Sequence, residues 1–224
     1  MIVCISLLFT ISLHSFVTGD GIPIPKDNCR LVYTNTILRK KLLALSLLTN
    51  LFERWITAPD WDTELKCDGN EVAVGSCSGG GGWGHKDCPG GTVHQLKCCE
   101  MPEYYYSNCN TFNSDFGVPI DCRDHGDGLL LEGQCHSGEH HDCHGSANLG
   151  TCCEGTYQGR AVGPVETECT WEYGGYGAML ECGRSDEVLA GRCGSGKNLD
   201  CPGGTSHGNL CCKLDFLGNN TLNH

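Results

Sequence analysis

Short apolar runs, each followed by a Gly-x-Cys tripeptide, recur three times along the chain. They occupy positions 72–74, 129–131 and 188–190, and a single leucine precedes each of the double cysteines at 98–99, 152–153 and 211–212. Runs of this length, bounded by Gly-Ser and Pro-Gly-Gly turn signals, predict short β-strands. We therefore expect a small, mainly β and loop fold, with a short hairpin or a three-stranded sheet in each repeat.

The cysteines share this period. The Gly-x-Cys cysteine recurs every 58 residues, at Cys77, Cys135 and Cys193, and is followed each time by an Asp-Cys pair and then by a double cysteine. A common period with the same glycine and cysteine motifs indicates tandem modules. The sequence predicts three six-cysteine repeats at residues 29–103, 104–158 and 159–224, the last with a polar tail.

Cysteine content indicates a disulfide scaffold in an oxidising compartment. The chain has 19 cysteines in 224 residues, a level typical of secreted disulfide-rich proteins. Residues 1–19 are uncharged, largely apolar and end in small residues, which predicts a secretory signal peptide, followed by an extended leader at 20–28. Cleavage removes Cys4 and leaves six cysteines per repeat. We predict that all of these form disulfides: Cys29, Cys67, Cys77, Cys88, Cys98, Cys99, Cys109, Cys122, Cys135, Cys143, Cys152, Cys153, Cys169, Cys182, Cys193, Cys201, Cys211 and Cys212.

The sequence does not choose among the possible pairings of these cysteines. No Cys-x-x-Cys occurs, which disfavours a zinc site. Six cysteines allow fifteen pairings, and excluding a bond between adjacent cysteines leaves twelve. A double cysteine implies that neighbouring side chains leave the strand in different directions and tie it to two other stretches of the repeat.

The apolar content of one repeat is too small to hold it together. Between Cys182 and Cys212 the other apolar residues are only Val188, Leu189, Ala190, Leu199 and Leu210. Their burial yields about 1.5–3 kcal/mol for each of the larger ones, against roughly 1–2 kcal/mol of backbone entropy for every ordered residue. We therefore expect no large hydrophobic core, repeats that fold independently, and disulfides that supply the stability.

Repeat 1 carries extra sequence. Twelve residues separate the first two cysteines of repeats 2 and 3, whereas thirty-seven separate those of repeat 1. The excess coincides with a Leu-rich stretch without cysteine or glycine, which we place at about 34–58. Its apolar run is too short to span a bilayer. It is an amphipathic helix that contacts a membrane or partner, a helix packed on repeat 1, or translated sequence absent from the mature protein, which we favour.

Charge narrows the class of partner. The net charge is −12, and an acidic chain has little with which to replace phosphate counterions, so nucleic acid is excluded as a partner. Extracellular matrix proteins, glycans or a mineral surface suit it better, and we expect no transmembrane segment in the mature chain.

A histidine-rich loop in repeat 2 is the weak candidate for a metal site. It holds His136, His140, His141, His144 and Asp142, and imidazole and carboxylate groups can bind Zn²⁺ or Cu²⁺. Repeats 1 and 3 lack these residues, so a solvated variable loop is the favoured interpretation.

A second acidic pattern suggests at most a weak calcium site. Asp121, Asp124 and Asp127 recur every three residues, but the spacing is not that of an EF-hand loop and no glutamate closes it. We expect no bound cofactor beyond weak association of calcium or zinc.

Nothing in the sequence supports catalysis. Ser78, Ser137 and Ser195 lie beside glycine but outside a Gly-x-Ser-x-Gly frame. His94 and His207 occupy equivalent places before a double cysteine, which favours packing or a turn hydrogen bond. We expect a non-enzymatic glycoprotein with one glycosylation sequon, at Asn219.

Two resemblances to known families follow from these motifs. Asp87-Cys88-Pro89-Gly90 and Lys97-Cys98-Cys99 resemble pieces of a whey acidic protein domain, a secreted protease-inhibitor fold. That family has eight cysteines, a shorter gap between these motifs and a further cysteine after the pair, so the likeness is not a true match.

The double cysteines at 98–99, 152–153 and 211–212, together with the acidic composition, resemble the galaxins. These are secreted, repeat-containing proteins of invertebrate matrices, including the skeletal organic matrix of corals. The resemblance covers residues 29–212 and implies a structural or interaction component of an extracellular matrix, of which a biomineral (skeletal organic) matrix is one kind. The alternative is a secreted protease inhibitor or toxin-like protein that presents a disulfide-stapled loop.

Overall fold

The computed structural model describes residues 21–26, 29, 54–58, 61–80, 86–138, 140–196 and 198–218. The predicted signal peptide, Cys4, Asn219 and most of the predicted insertion lie outside these residues. The three repeats are called segments 1, 2 and 3 below.

The described residues form twelve β-strands and no α-helix, which confirms the predicted β class; a one-turn 3-10 helix occupies Cys122–His125. The strands are β1 (Arg54–Ala58), β2 (Leu65–Lys66), β3 (Glu71–Ser78), β4 (His94–Glu100), β5 (Tyr104–Ser114), β6 (Ile120–Asp121), β7 (Leu129–His136), β8 (Asn148–Tyr157), β9 (Arg160–Gly174), β10 (Met179–Glu181), β11 (Glu187–Gly194) and β12 (His207–Phe216).

Each segment contributes three antiparallel strands in the same order. These are β1-β4-β3, β5-β8-β7 and β9-β12-β11. The apolar runs lie in β3, β7 and β11, and the double cysteines lie in β4, β8 and β12. A short hairpin contact between β8 and β9 joins the sheets of segments 2 and 3.

A fourth strand reaches each sheet from a different segment. β2 of segment 1 pairs with β7, β6 of segment 2 pairs with β11, and β10 of segment 3 pairs with β3. The exchange therefore runs from segment 1 to 2, from 2 to 3, and from 3 back to 1. This cyclic connectivity has threefold pseudosymmetry and conflicts with the expectation that each repeat folds alone.

The glycine of each Gly-x-Cys motif accommodates the exchanged strand. All three hairpins have a register shift at this glycine. A Cβ at Gly191 would lie 2.6 Å from the Ile120 carbonyl oxygen, and one at Gly75 would lie 2.7 Å from that of Leu180. Only a residue without a side chain lets the incoming backbone approach so closely.

Nine disulfides join all the described cysteines, and one nested pattern repeats in each segment. The first cysteine pairs with the sixth, the second with the fifth, and the third with the fourth: 29–99, 67–98, 77–88; 109–153, 122–152, 135–143; 169–212, 182–211, 193–201. Each double cysteine is thus tied to two other stretches, as predicted.

The second-to-fifth disulfides secure the strand exchange. Cys67 follows β2, which lies in the sheet of segment 2, yet its partner Cys98 belongs to β4 of segment 1. Cys122–Cys152 and Cys182–Cys211 have the corresponding positions. Each of these three bonds thus joins the end of an exchanged strand to the double cysteine of its own segment.

The expectation that the chain has no large hydrophobic core is wrong. Buried residues from all three segments form a central apolar cluster: Leu65, Cys67, Ala73, Val93, Leu96, Cys98, Ile120, Cys122, Leu129, Leu131, Cys152, Cys182, Leu189 and Cys211. A second cluster includes Val72, Leu130 and Val188. The sequence estimate considered one repeat in isolation, whereas the exchange pools the apolar residues of three, and paired cysteines are themselves apolar.

Residues 54–58, at the C-terminal end of the predicted insertion, form β1. The register of β1 against β4 matches that of residues 110–114 of β5 against β8. The remainder of the predicted insertion, about 34–53, lies outside the described residues.

Candidate functional site: a buried polar cluster

Polar side chains from all three segments are buried on the strands that bear the Gly-x-Cys motifs and the double cysteines. The register shift at each motif glycine separates the apolar run of the strand from the polar residue x after the glycine. We call the following residues the polar cluster: His94, Gln134, His136, Asn148, Arg192 and His207. Each is at most 2 % exposed.

Equivalent positions carry different residues in the three segments. The residue x is Ser76, Gln134 or Arg192, and the position four before the double cysteine is His94, Asn148 or His207. Ser76 Oγ donates to Asn209 Oδ1 over 2.6 Å. The pseudosymmetry of the fold therefore does not extend to the chemistry of its interior.

Arg192 is a fully buried arginine. Its Nη1 donates to Gln134 Oε1 over 3.0 Å and to the carbonyl oxygen of Cys135 over 3.1 Å. Gln134 Nε2 in turn donates 2.8 Å to the carbonyl oxygen of Gln95. Side chains of two segments and a backbone carbonyl of the third are thus connected through this guanidinium.

The three histidines are neutral and anchored through one ring nitrogen. His94 Nε2 lies 2.9 Å from the carbonyl oxygen of Thr63, His136 Nδ1 lies 2.9 Å from Asn148 Oδ1, and His207 Nδ1 lies 3.1 Å from Ser206 Oγ. The packing and hydrogen bonding predicted for His94 and His207 are confirmed.

Burial and the Arg192 charge together keep these rings unprotonated. Desolvation, followed by repulsion from Arg192, lowers the pKa of His94 to about 3 and that of His207 to about 4, and shifts the pKa of His136 in the same direction. Burial also lowers the pKa of Arg192 to about 9, so the guanidinium remains charged at neutral pH.

Gly194 provides the space in which this cluster packs. It follows Cys193 where the other segments have Ser78 and His136. A Cβ at this position would lie 2.5 Å from His136 Nδ1 and 2.9 Å from Arg192 Nη2. Residue 194 therefore has to be glycine, because the side chains of His136 and Arg192 already fill the space that its Cβ would need.

The structure does not bring the predicted metal candidates together. His136 is in the polar cluster, whereas His140, His141 and His144 are exposed and Asp142 is half-buried. His141 Nε2 lies 2.9 Å from Asp115 Oδ1. Within the described residues, no three His, Cys, Asp or Glu side chains have the geometry of a metal site.

The aspartates considered for calcium do not form a site either. Asp121 binds Arg123, with 2.6 Å between Arg123 Nη2 and Asp121 Oδ2, and its Oδ1 accepts from the backbone amide of Arg123. Its carboxylate thus caps the 3-10 helix, while Asp124 and Asp127 are exposed.

Another buried acid lies outside the polar cluster. Glu132 accepts a hydrogen bond from the hydroxyl of Tyr104, and both side chains are fully buried. Desolvation raises the pKa of Glu132 to about 8. The side chain is therefore a neutral carboxylic acid at neutral pH.

Sequence reasoning missed Arg192, Gln134 and Asn148. The available signal was positional, because a polar residue recurs in every segment at residue x of Gly-x-Cys and at the position four before the double cysteine. In a single short repeat such residues are expected at the surface. They become interior residues only when the three segments pack together.

Comparisons with known proteins identify no relative. The chain matches no protein-family model and no curated protein sequence. Among the residues described, none belongs to a helix able to cross a membrane.

Proposed function

We propose that the mature chain is a secreted, acidic, non-enzymatic component of an extracellular matrix, built from three tandem six-cysteine modules. Its role is structural, and its partners are matrix proteins, glycans or the mineral of a skeletal matrix. The observation that carries this proposal is the sign of the exposed charge.

Acidic side chains dominate the exposed surface. Among the described residues four lysines and arginines are exposed, namely Lys66, Lys86, Arg160 and Arg184. The exposed acids number thirteen: Asp62, Glu64, Asp68, Asp87, Glu103, Asp115, Asp124, Asp127, Glu154, Glu166, Glu168, Glu181 and Asp200. Such a surface attracts cations and basic proteins.

The covalent framework suits a structural role. Disulfides link the described cysteines, and three of the bonds join an exchanged strand to its own segment, so the exposed charges are held on a cross-linked frame. Rigid presentation lowers the ordering cost of binding to an extended surface.

Mass spectrometry of an extracted matrix tests the assignment to this compartment. We expect peptides of segments 1 to 3 to stay in the insoluble or mineral fraction and to be released when that fraction is dissolved. Recovery only in soluble secretions, together with inhibition of a protease or channel at low concentration, would favour the inhibitor alternative instead.

Adsorption of the purified protein to calcium carbonate tests the role of charge. Changing Asp124, Asp127, Glu166 and Glu168 to their amides should weaken adsorption several-fold and reduce its salt sensitivity. The matched control changes Thr111, Asn113, Thr167 and Thr170, which are also exposed, to alanine. Equal adsorption of both variants would contradict the proposal.

A further inference from the structure

Several polar atoms in and beside the polar cluster have no hydrogen-bond partner although they are buried. They include Arg192 Nε, Ser78 Oγ, Ser137 Oγ, His94 Nδ1 and His136 Nε2. Each of these residues is at most 2 % exposed. A buried polar group without a partner costs about 1–3 kcal/mol, and a charged one costs more, so the charged donor Arg192 Nε points to a ligand.

The unmet charge in this region is positive. Arg192 donates only to an amide oxygen and a peptide oxygen, and burial alone explains its lowered pKa. No described carboxylate therefore neutralises the guanidinium. A buried cation without a counter-charge is strongly unfavourable, which makes the missing partner an anion.

Hydrogen-bond roles separate the donors from the acceptors. Asn148 Nδ2 donates to the carbonyl oxygens of Asp115 and Gly194, so Asn148 Oδ1 accepts and His136 Nδ1 carries the proton. His136 Nε2 is then an unprotonated acceptor, and His94 Nδ1 is one by the same argument. The donors left for an anion are Arg192 Nε–H and the serine hydroxyls.

Arg192 lies two residues before the end of β11, where a Cβ on Gly194 would lie 2.9 Å from its Nη2. The same Cβ would lie 2.5 Å from His136 Nδ1, and His136 ends β7. The guanidinium therefore lies where the ends of β7 and β11 meet in the interior.

We propose that this interior binds one monatomic anion of chloride size at the Arg192 guanidinium. A halide needs no directed acceptor geometry, so a few N–H and O–H donors suffice. Sulfate or phosphate has several oxygens to satisfy and would leave most of them without donors. The anion neutralises Arg192 and ties the three segments together at their centre.

Crystals of the wild-type protein grown in sodium bromide test the site directly. We expect one anomalous peak in the interior, in contact with the Arg192 guanidinium. Bromide peaks confined to the surface, with water or nothing beside Arg192, would overturn the proposal.

Thermal unfolding gives an independent measurement in solution. At constant ionic strength, gluconate is replaced by chloride until the free chloride concentration is about a hundred times its Kd. This replacement should raise Tm by on the order of 5 °C. Arg192→Gln should abolish this dependence, while the control Arg184→Gln, at an exposed arginine paired with Asp186, should retain it.

The wild-type measurements decide the matter even if Arg192→Gln does not fold. A Tm of the wild-type protein that is equal in chloride and gluconate contradicts the proposal, as does an Arg184→Gln variant that loses the halide dependence.

Discussion

The central apolar cluster and the polar cluster are built from the same three segments, but only the apolar cluster repeats one residue type at an equivalent position in all three. The apolar cluster uses the same cysteines in every segment, since all three second-to-fifth disulfides lie in it. The polar cluster places Ser76, Gln134 and Arg192 at one equivalent position. Apolar groups can be repeated around a centre without penalty, whereas three buried guanidinium groups would repel one another.

This contrast shows how a repeated chain acquires a unique interior. The disulfides and the exchanged strands recur at equivalent positions in all three segments, because each exchanged strand pairs with the same kind of strand in the next segment. The buried polar positions carry different residues, because a donor in one segment requires an acceptor in another, as Arg192 requires Gln134.

The largest effect should come from breaking a disulfide that joins an exchanged strand to its own segment. Replacing Cys182 and Cys211 by alanine removes a bond with a sequence separation of 29 and opens a cavity in the apolar cluster. We expect a loss of about 4–5 kcal/mol in the free energy of unfolding, measured by urea denaturation without reductant.

The matched control removes the loop disulfide of the same segment. Cys193 and Cys201 have a sequence separation of 8, so their replacement by alanine should cost about 2–3 kcal/mol. Equal losses for the two double variants would show that the second-to-fifth disulfide has no special role.

The second-largest effect should come from acid, which lowers the free energy of unfolding through the buried histidines of the polar cluster. The folded pKa values of His94 and His207, about 3 and about 4, lie below the unfolded value of 6.5. Their contribution is therefore complete above pH 6.5 and is lost as pH falls toward 4, because the unfolded state binds the protons. We expect a loss of about 2–4 kcal/mol between pH 7 and pH 4, measured by urea denaturation.

Asparagine replacements sharpen this test, since segment 2 already has Asn148 at the equivalent position. The double variant His94→Asn, His207→Asn should have a shallower dependence of stability on pH. His144→Asn, at an exposed histidine, should keep the wild-type slope. An unchanged slope in the double variant would mean that other groups control acid unfolding.

The bulge glycine that separates the two clusters should have a smaller effect. Gly191→Ala would place a Cβ 2.6 Å from the Ile120 carbonyl oxygen and push β6 away from β11. We expect a loss of about 2 kcal/mol by urea denaturation. Gly183→Ala, which meets nothing within 4 Å, should change stability by less than about 0.5 kcal/mol, and similar losses for both would argue against a role in strand exchange.

The smallest effect should come from Glu132→Gln at pH 4, because the wild-type side chain is mostly uncharged there in both the folded and the unfolded state. The folded pKa of Glu132, about 8, lies above the unfolded value of 4.5, so its contribution is present below pH 4.5 and lost as pH rises through 8. The variant should lie within about 1 kcal/mol of wild type at pH 4 and be clearly the more stable of the two at pH 9, in urea denaturation. A variant that weakens equally at both pH values would indicate a charged Glu132.

The aromatic residues show how far local sequence can be taken. Phe116-Gly117 and Tyr176-Gly177 stand at equivalent places, and the amides of both glycines donate 2.9 Å hydrogen bonds to another segment, at Gly194 and Ser78. Trp61 packs against Gly138 as Phe116 packs against Gly196. The extra residues of segment 1 hide the equivalence of Trp61 in the sequence, and only contacts reveal it.

The sequence by itself determined the β class and the positions of the main strands, because both follow from local periodicity and turn chemistry. It also determined that each double cysteine serves two different bonds. Only the tertiary structure decided which cysteines pair, which strands change sheets and which polar residues are buried. Those features depend on contacts between residues far apart in the chain, and the three repeats are so alike that local pattern cannot distinguish a strand that stays in its own sheet from one that completes the next.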